Sequence, residues 1–193
     1  QPLIRGLRGP ENLIHDTGLT GEAHPHYPAR FMWSSDAGRV KGEWVAFDLG
    51  GVHRLQSMKI WNYNERGVYA NLNFFTLRGV KEADVYISDT GMGDPLSHPS
   101  EWKLAIADLR LTQAYAADDY ATPDLIDMKG AACRHVAIVV QSAFSDDYRN
   151  DPIVDAEVEK SYRVVGLSEV KFFGQKVEEE ARPRGKHRPD PNE

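Results

Sequence analysis

The chain has 193 residues, 41% hydrophobic and 27% charged, with a formal net charge of −6 at pH 7 and a pI near 5.7. That length can bury a sizeable core within one domain. The acidic balance leaves no broad positive field for a phosphate backbone, the basic cluster RPRGKHR near the C-terminus apart, and this excludes nucleic acid as an expected partner.

A single cysteine, Cys133, allows neither an internal disulfide nor a CxxC or zinc pattern, and reads as a packing residue. No apolar run is long enough to cross a bilayer, so no membrane insertion is expected. The opening QPLIRGLRGPENL lacks the charged-then-apolar layout of a signal peptide.

In chain order, short strand-like runs dominate. WVAFDLG (44–50) alternates with Val45, Phe47 and Leu49 on one side, and LQSMKIW (55–61) places Met58 and Ile60 together. EADVYISD (82–89) keeps the same period through Val85 and Ile87. The region ADLRLTQAYAADDY is the one helical candidate. RHVAIVVQSA (134–143) is β-branched and apolar on both faces, as a central covered strand should be. GLSEVKFFG (166–174) closes the series with Val170 and Phe172 on one face. Turn signals such as GG, DTG and KG separate the runs. Many short strands with few helices predict an all-β antiparallel sandwich or barrel over residues 1–175. Residues 176–193, with three prolines, no aromatic residue and an acidic-to-basic flip, read as a charged tail or linker.

Three segments, 15–43, 62–81 and 144–165, are too long and polar for simple turns, and loops of that size in a compact domain often carry function. The stretch 62–75 mixes Asn62, Asn64, Glu65 and Arg66 with Tyr63, Tyr69, Phe74 and Phe75. Sugars need paired hydrogen-bonding groups beside an aromatic face, so this mixture predicts ligand contacts from Tyr63, Asn64, Glu65, Arg66, Tyr69 and Phe74. The bland alternative has the asparagines bonded to loop backbone, Arg66 and Glu65 as a surface pair, and the phenylalanines covering a sheet edge. His26, with His24, Tyr27 and Arg30, belongs to a second candidate wall at 21–33; solvated or structural histidines are the alternative there. Asp146, Asp147, Tyr148, Arg149 and Asp151 make a third, acidic loop. Trp33, Trp44, Trp61 and Trp102 are assigned to packing. No G-x-S-x-G, HExxH, P-loop or dinucleotide motif occurs, and no carboxylate pair is singled out by spacing, so catalysis is not expected.

Taken in order, WVAFDLGG, LQSMKIWNYNERG, RGVKEADVYISDTG, EWKLA, CRHVAIVVQS and VGLSEVKFFG resemble the discoidin or coagulation factor 5/8 type C domains and their relatives among family 32 carbohydrate-binding modules, a resemblance that covers about residues 12–174. The resemblance implies a galactose-binding-like jelly roll of about eight strands with long end loops. It also implies a secreted, extracellular or periplasmic setting, and a non-catalytic role that targets a partner enzyme or cell to a polysaccharide or glycan. A catalytic domain in the same parent protein, such as a glycoside hydrolase, lyase or sulfatase, is the implied partner; a protein–protein or interdomain adhesion module is the alternative. The family's ligand-binding arginine would be Arg66. A structural Ca2+ is implied between the N-terminal loop NLIHDTGLTGE and the closing strand, with Leu13, Asp16, Thr17, Ser168 and Glu169 as ligands. For Asp16 the residues leave an alternative open, because an Asp-Thr-Gly turn can satisfy its own carboxylate through an Asx-type hydrogen bond.

Overall fold

A computed structural model of the chain describes residues 8–14, 19–25, 31–36, 38–65, 73–91, 93–117, 119–148, 150, 152 and 163–178, with backbone alone at 73 and 74. Its strands are β1 (Trp33–Ser34), β2 (Trp44–Asn62), β3 (Val80–Ser88), β4 (Lys103–Arg110), β5 (Asp124–Ala143) and β6 (Gly166–Lys176). They run in the order β1-β6-β2-β5-β3-β4, and every pairing of these strands is antiparallel. Short 3-10 turns at Pro10–Leu13, Asn73–Arg78 and Phe144–Tyr148 punctuate the loops.

Two strands make this ladder fold over on itself. β2 and β5 pair along most of their length, but with a register break between Asp48 and His53. Before the break, β5 partners β3 on its other side; beyond it, β2 partners β6. The bend needs residues that tolerate positive φ: Gly50 at 75° on β2, and Lys129 at 52° with Gly130 at 70° on β5. One layer is therefore β1, β6, the second half of β2 and the first half of β5. The other is the first half of β2, the second half of β5, β3 and β4. Phe47 of one layer meets Phe172 of the other edge to face, 5.1 Å between centroids, so the layers close as a β-sandwich. The six continuous strands thus supply eight strand segments, four to a layer.

The alternation read from the sequence decides what lies between the layers. Val45, Phe47, Met58, Ile60, Val85, Ile138 and Val170 fall in one buried cluster. Each such large side chain contributes roughly 2 kcal/mol when fully buried. Residues 136–140 are buried on both faces, as their unbroken apolar run predicts. Two expectations change. The GG at 50–51 and the KG at 129–130 are bends within continuous strands instead of chain reversals. The helical candidate is strand through Arg110 and irregular backbone over 111–117.

Candidate functional site

At one end of the sandwich β2 gives way to the polar run that the sequence singled out. Asn62 replaces a piece of backbone ladder. Its Nδ2 donates to Val80 O at 2.7 Å and Thr112 O at 2.9 Å, while its Oδ1 accepts from the amides of Tyr63 and Val80, each at 2.9 Å. A carboxamide has this double donor and acceptor capacity, and here all of it is used. Gly79 leaves the room, since a Cβ there would lie 2.7 Å from Asn62 Oδ1.

Tyr63 is fully buried, and Gly166 is packed so tightly on its ring that a Cβ would approach it to 2.6 Å. The phenol donates to Glu65 Oε2 at 2.6 Å and accepts from Arg8 Nη1. Arg8 also grips Glu65 in a fork, Nη1 to Oε2 at 2.9 Å and Nη2 to Oε1 at 2.6 Å. Arg78 Nη1 reaches the same carboxylate at 3.1 Å, and its guanidinium lies 4.2 Å from the Phe75 ring centroid. All three charged side chains are only 12% exposed, so the cluster sits in a low-dielectric setting where charge-assisted bonds are strong. Burial above all, with the Glu65 charge beside it, holds the Tyr63 phenol protonated well above its ordinary range.

This arrangement corrects part of the ligand set. Tyr63, expected as a stacking face, is sealed beneath other side chains and holds Glu65 and Arg8. Asn64 is also buried: its amide donates to Ser168 Oγ at 3.1 Å, and its Nδ2 to His24 O at 3.1 Å and Ala117 O at 2.8 Å. Asn64, like Asn62, follows the loop-backbone alternative. Glu65 is ion-paired with Arg8 and Arg78. Arg66, Tyr69 and His26 lie outside the described residues, as does the side chain of Phe74. His24 is a structural histidine, its ring nitrogens on Pro25 O at 2.8 Å and Phe31 O at 3.2 Å, with burial lowering its pKa. In the acidic loop, Asp147 pairs with Lys81, and Asp146 accepts from the amide of Ala143 at 2.9 Å. Sequence reading missed Arg8 and Arg78 as partners of Glu65.

The implied calcium set can be tested against the buried acceptors. Glu169 is 1% exposed, next in sequence to Ser168, whose hydroxyl meets Asn64. Asn64 Oδ1 is buried and accepts no hydrogen bond among the described residues. A buried carboxylate and an orphaned amide oxygen suit a hard cation that takes oxygen ligands. Leu13 is a core residue, so any contribution from it would come from its carbonyl. Asp16 and Thr17 lie outside the described residues, among which no group of three or more His, Cys, Asp or Glu gathers as a metal site.

No protein-family model and no curated protein matches the sequence. Solved structures do match. An F5/8 type C domain from Bacteroides fragilis superposes with a TM-score of 0.53 at 11% identity, over 90% of this chain and 85% of that one. The CBM32 of AlyQ, solved with 4,5-unsaturated mannuronic acid, gives a TM-score of 0.44 at 13% identity over 85% and 84% of the two chains. A family 89 glycoside hydrolase from Clostridium perfringens gives 0.41 at 15% identity; this chain spans 13% of its length. The fold is that of the F5/8 type C, galactose-binding-like β-sandwiches.

Proposed function

We propose that the chain is a non-catalytic carbohydrate-binding module that holds a partner enzyme or cell on a polysaccharide or glycan, outside the cytoplasm. The observation that carries this is the clamp at the base of the segment 66–72, where Glu65 on one side is ion-paired to Arg78 on the other and locked by Arg8. A loop held at both ends loses less freedom on binding, which is how a small site gains affinity. Arg66 and Tyr69 on that segment, Phe74 just beyond it and His26 from the 21–33 loop are the proposed ligand contacts. Glu65 positions them, and Tyr63 and Asn64 support it from below. A structural Ca2+ is part of the proposal, held by Glu169 and the Asn64 amide oxygen with oxygens of Leu13, Asp16, Thr17 and Ser168. It would tie the N-terminal loop to β6 and supply no chemistry to a ligand.

A glycan array followed by isothermal titration tests the reading. Binding in the micromolar to millimolar range is expected, lost in Arg66→Ala. Silence across host, algal and plant glycans overturns it.

One observation favours the second reading, a protein or interdomain docking module. The outer face of β2, β5 and β6 exposes Leu125 (68%) and Phe173 (41%) around Lys59, which pairs across the strands with Leu125 and Lys171. Loss of enzyme association in Leu125→Asp, with glycan retention unchanged, would locate the docking there.

A further inference from the structure

A cleft lies on the side of the sandwich. Among the described residues β4 pairs with β3 alone and the first half of β5 with β2 alone, so each ends its layer with an edge that no described strand covers. Between these edges opens a cleft of about 170 Å³. Ile87, Ile106 and Met128 line its apolar floor, and Lys103, Lys129 and Asp127 also border it. The wall from β5 is the bulge at 127–130, fixed by Asp127 Oδ1 accepting the amide of Lys129 at 2.8 Å. Lys103 and Lys129 are exposed, and neither ammonium group is ion-paired among the described residues.

Lysines and a bulge are ordinary protection for a bare strand edge. They do not account for an apolar-floored hollow between two such edges. Free edges offer unpaired N–H and C=O groups, which suit hydroxyls; an apolar floor suits a C–H face; two lysines against one aspartate favour an anion. The volume is below the roughly 300 Å³ of sites that take drug-sized ligands, and so fits one ring with its chain passing out of the open side.

We propose that this cleft is a carbohydrate subsite for one carboxylate-bearing pyranose of an acidic glycan, with the ring on Ile87, Ile106 and Met128 and the carboxylate between Lys103 and Lys129. The proposal rests on the carbohydrate-binding reading but uses a different face. Because the whole chain carries −6, the attraction is local and is screened by salt over about 10 Å.

Affinity electrophoresis of the full chain through gels containing polygalacturonate, alginate or fully methyl-esterified polygalacturonate tests it. The two acidic polymers should retard the chain more than the esterified one, and Lys103→Gln/Lys129→Gln should weaken that retardation about fivefold, as expected for two exposed charge pairs. The double variant should melt at the wild-type temperature, and Arg66→Ala should keep the preference for acid. Unchanged retardation in the double variant assigns the lysines to edge protection and overturns the subsite while leaving the loop site standing. Equal retardation by poly-glutamate overturns sugar recognition in the cleft. Retention by neutral glycans alone overturns the subsite only; retention by no glycan at all overturns both readings.

Discussion

Glu65 is the residue on which the loop end turns. With two arginines and a phenol on one carboxylate, Glu65→Ala removes the negative charge that two largely buried guanidinium groups share, and a loss of about 3 kcal/mol is expected in urea unfolding. Tyr63→Phe removes one hydroxyl from the same cluster and should cost about 1–2 kcal/mol in the same urea unfolding. The phenols also set an alkaline limit. Burial first, only partly offset by the hydrogen bond with the Asn62 amide, pushes Tyr120 up to about 12 from 10.0, and Tyr63 is raised too. Both are held protonated in the fold, so their contribution is complete below pH 10 and is lost as pH climbs from 10 towards 12. Thermal melts between pH 8 and 11.5 should show that fall, with a shallower slope in Tyr63→Phe. At this scale the sequence announced the unusual chemistry of 61–67 but not its direction. Arg8 lies 57 positions from Glu65, and no local pattern links them.

Among the elements, β6 is the most constrained at its first residue. A side chain at Gly166 would meet Trp33 O at 2.2 Å as well as the Tyr63 ring. Gly166→Ala should therefore cost about 3 kcal/mol by forcing β1 and β6 apart, read as a lower melting temperature with far-UV circular dichroism retained. The strands themselves were legible, because period-two burial leaves its mark on residues such as Val45, Phe47, Met58 and Ile60. The errors lie where one local chemistry serves two topologies. Gly50 and Gly130 carry the positive φ of a tight turn, yet a bulge inside a long strand asks for the same conformation. Only the partner across the ladder distinguishes them, and that partner is distant in sequence. The stretch 107–120 looked helical because Leu109 and Leu111 fit either period; its strand pairing with β3 decides.

For the molecule as a whole, the order of six weak segments predicted a sandwich that the coordinates and the Bacteroides fragilis domain share. If Ca2+ joins the N-terminal loop to β6, chelation should lower the melting temperature and added calcium should restore it; identical melts with and without chelator would remove the ion from the proposal. The site was less legible than the fold, since its clamp draws on Arg8, Glu65 and Arg78 from separate stretches.

The fold-back of β2 and β5 carries one more consequence. Cys133, opposite His53, lies at the crease shared by the two layers, and burial pushes its thiol up to about 11. Since neither layer can peel away without tearing the common ribbon, the protein should come apart in one step. A thiol reagent should then label Cys133 at the rate of global opening, giving a built-in reporter of when the whole shell lets go.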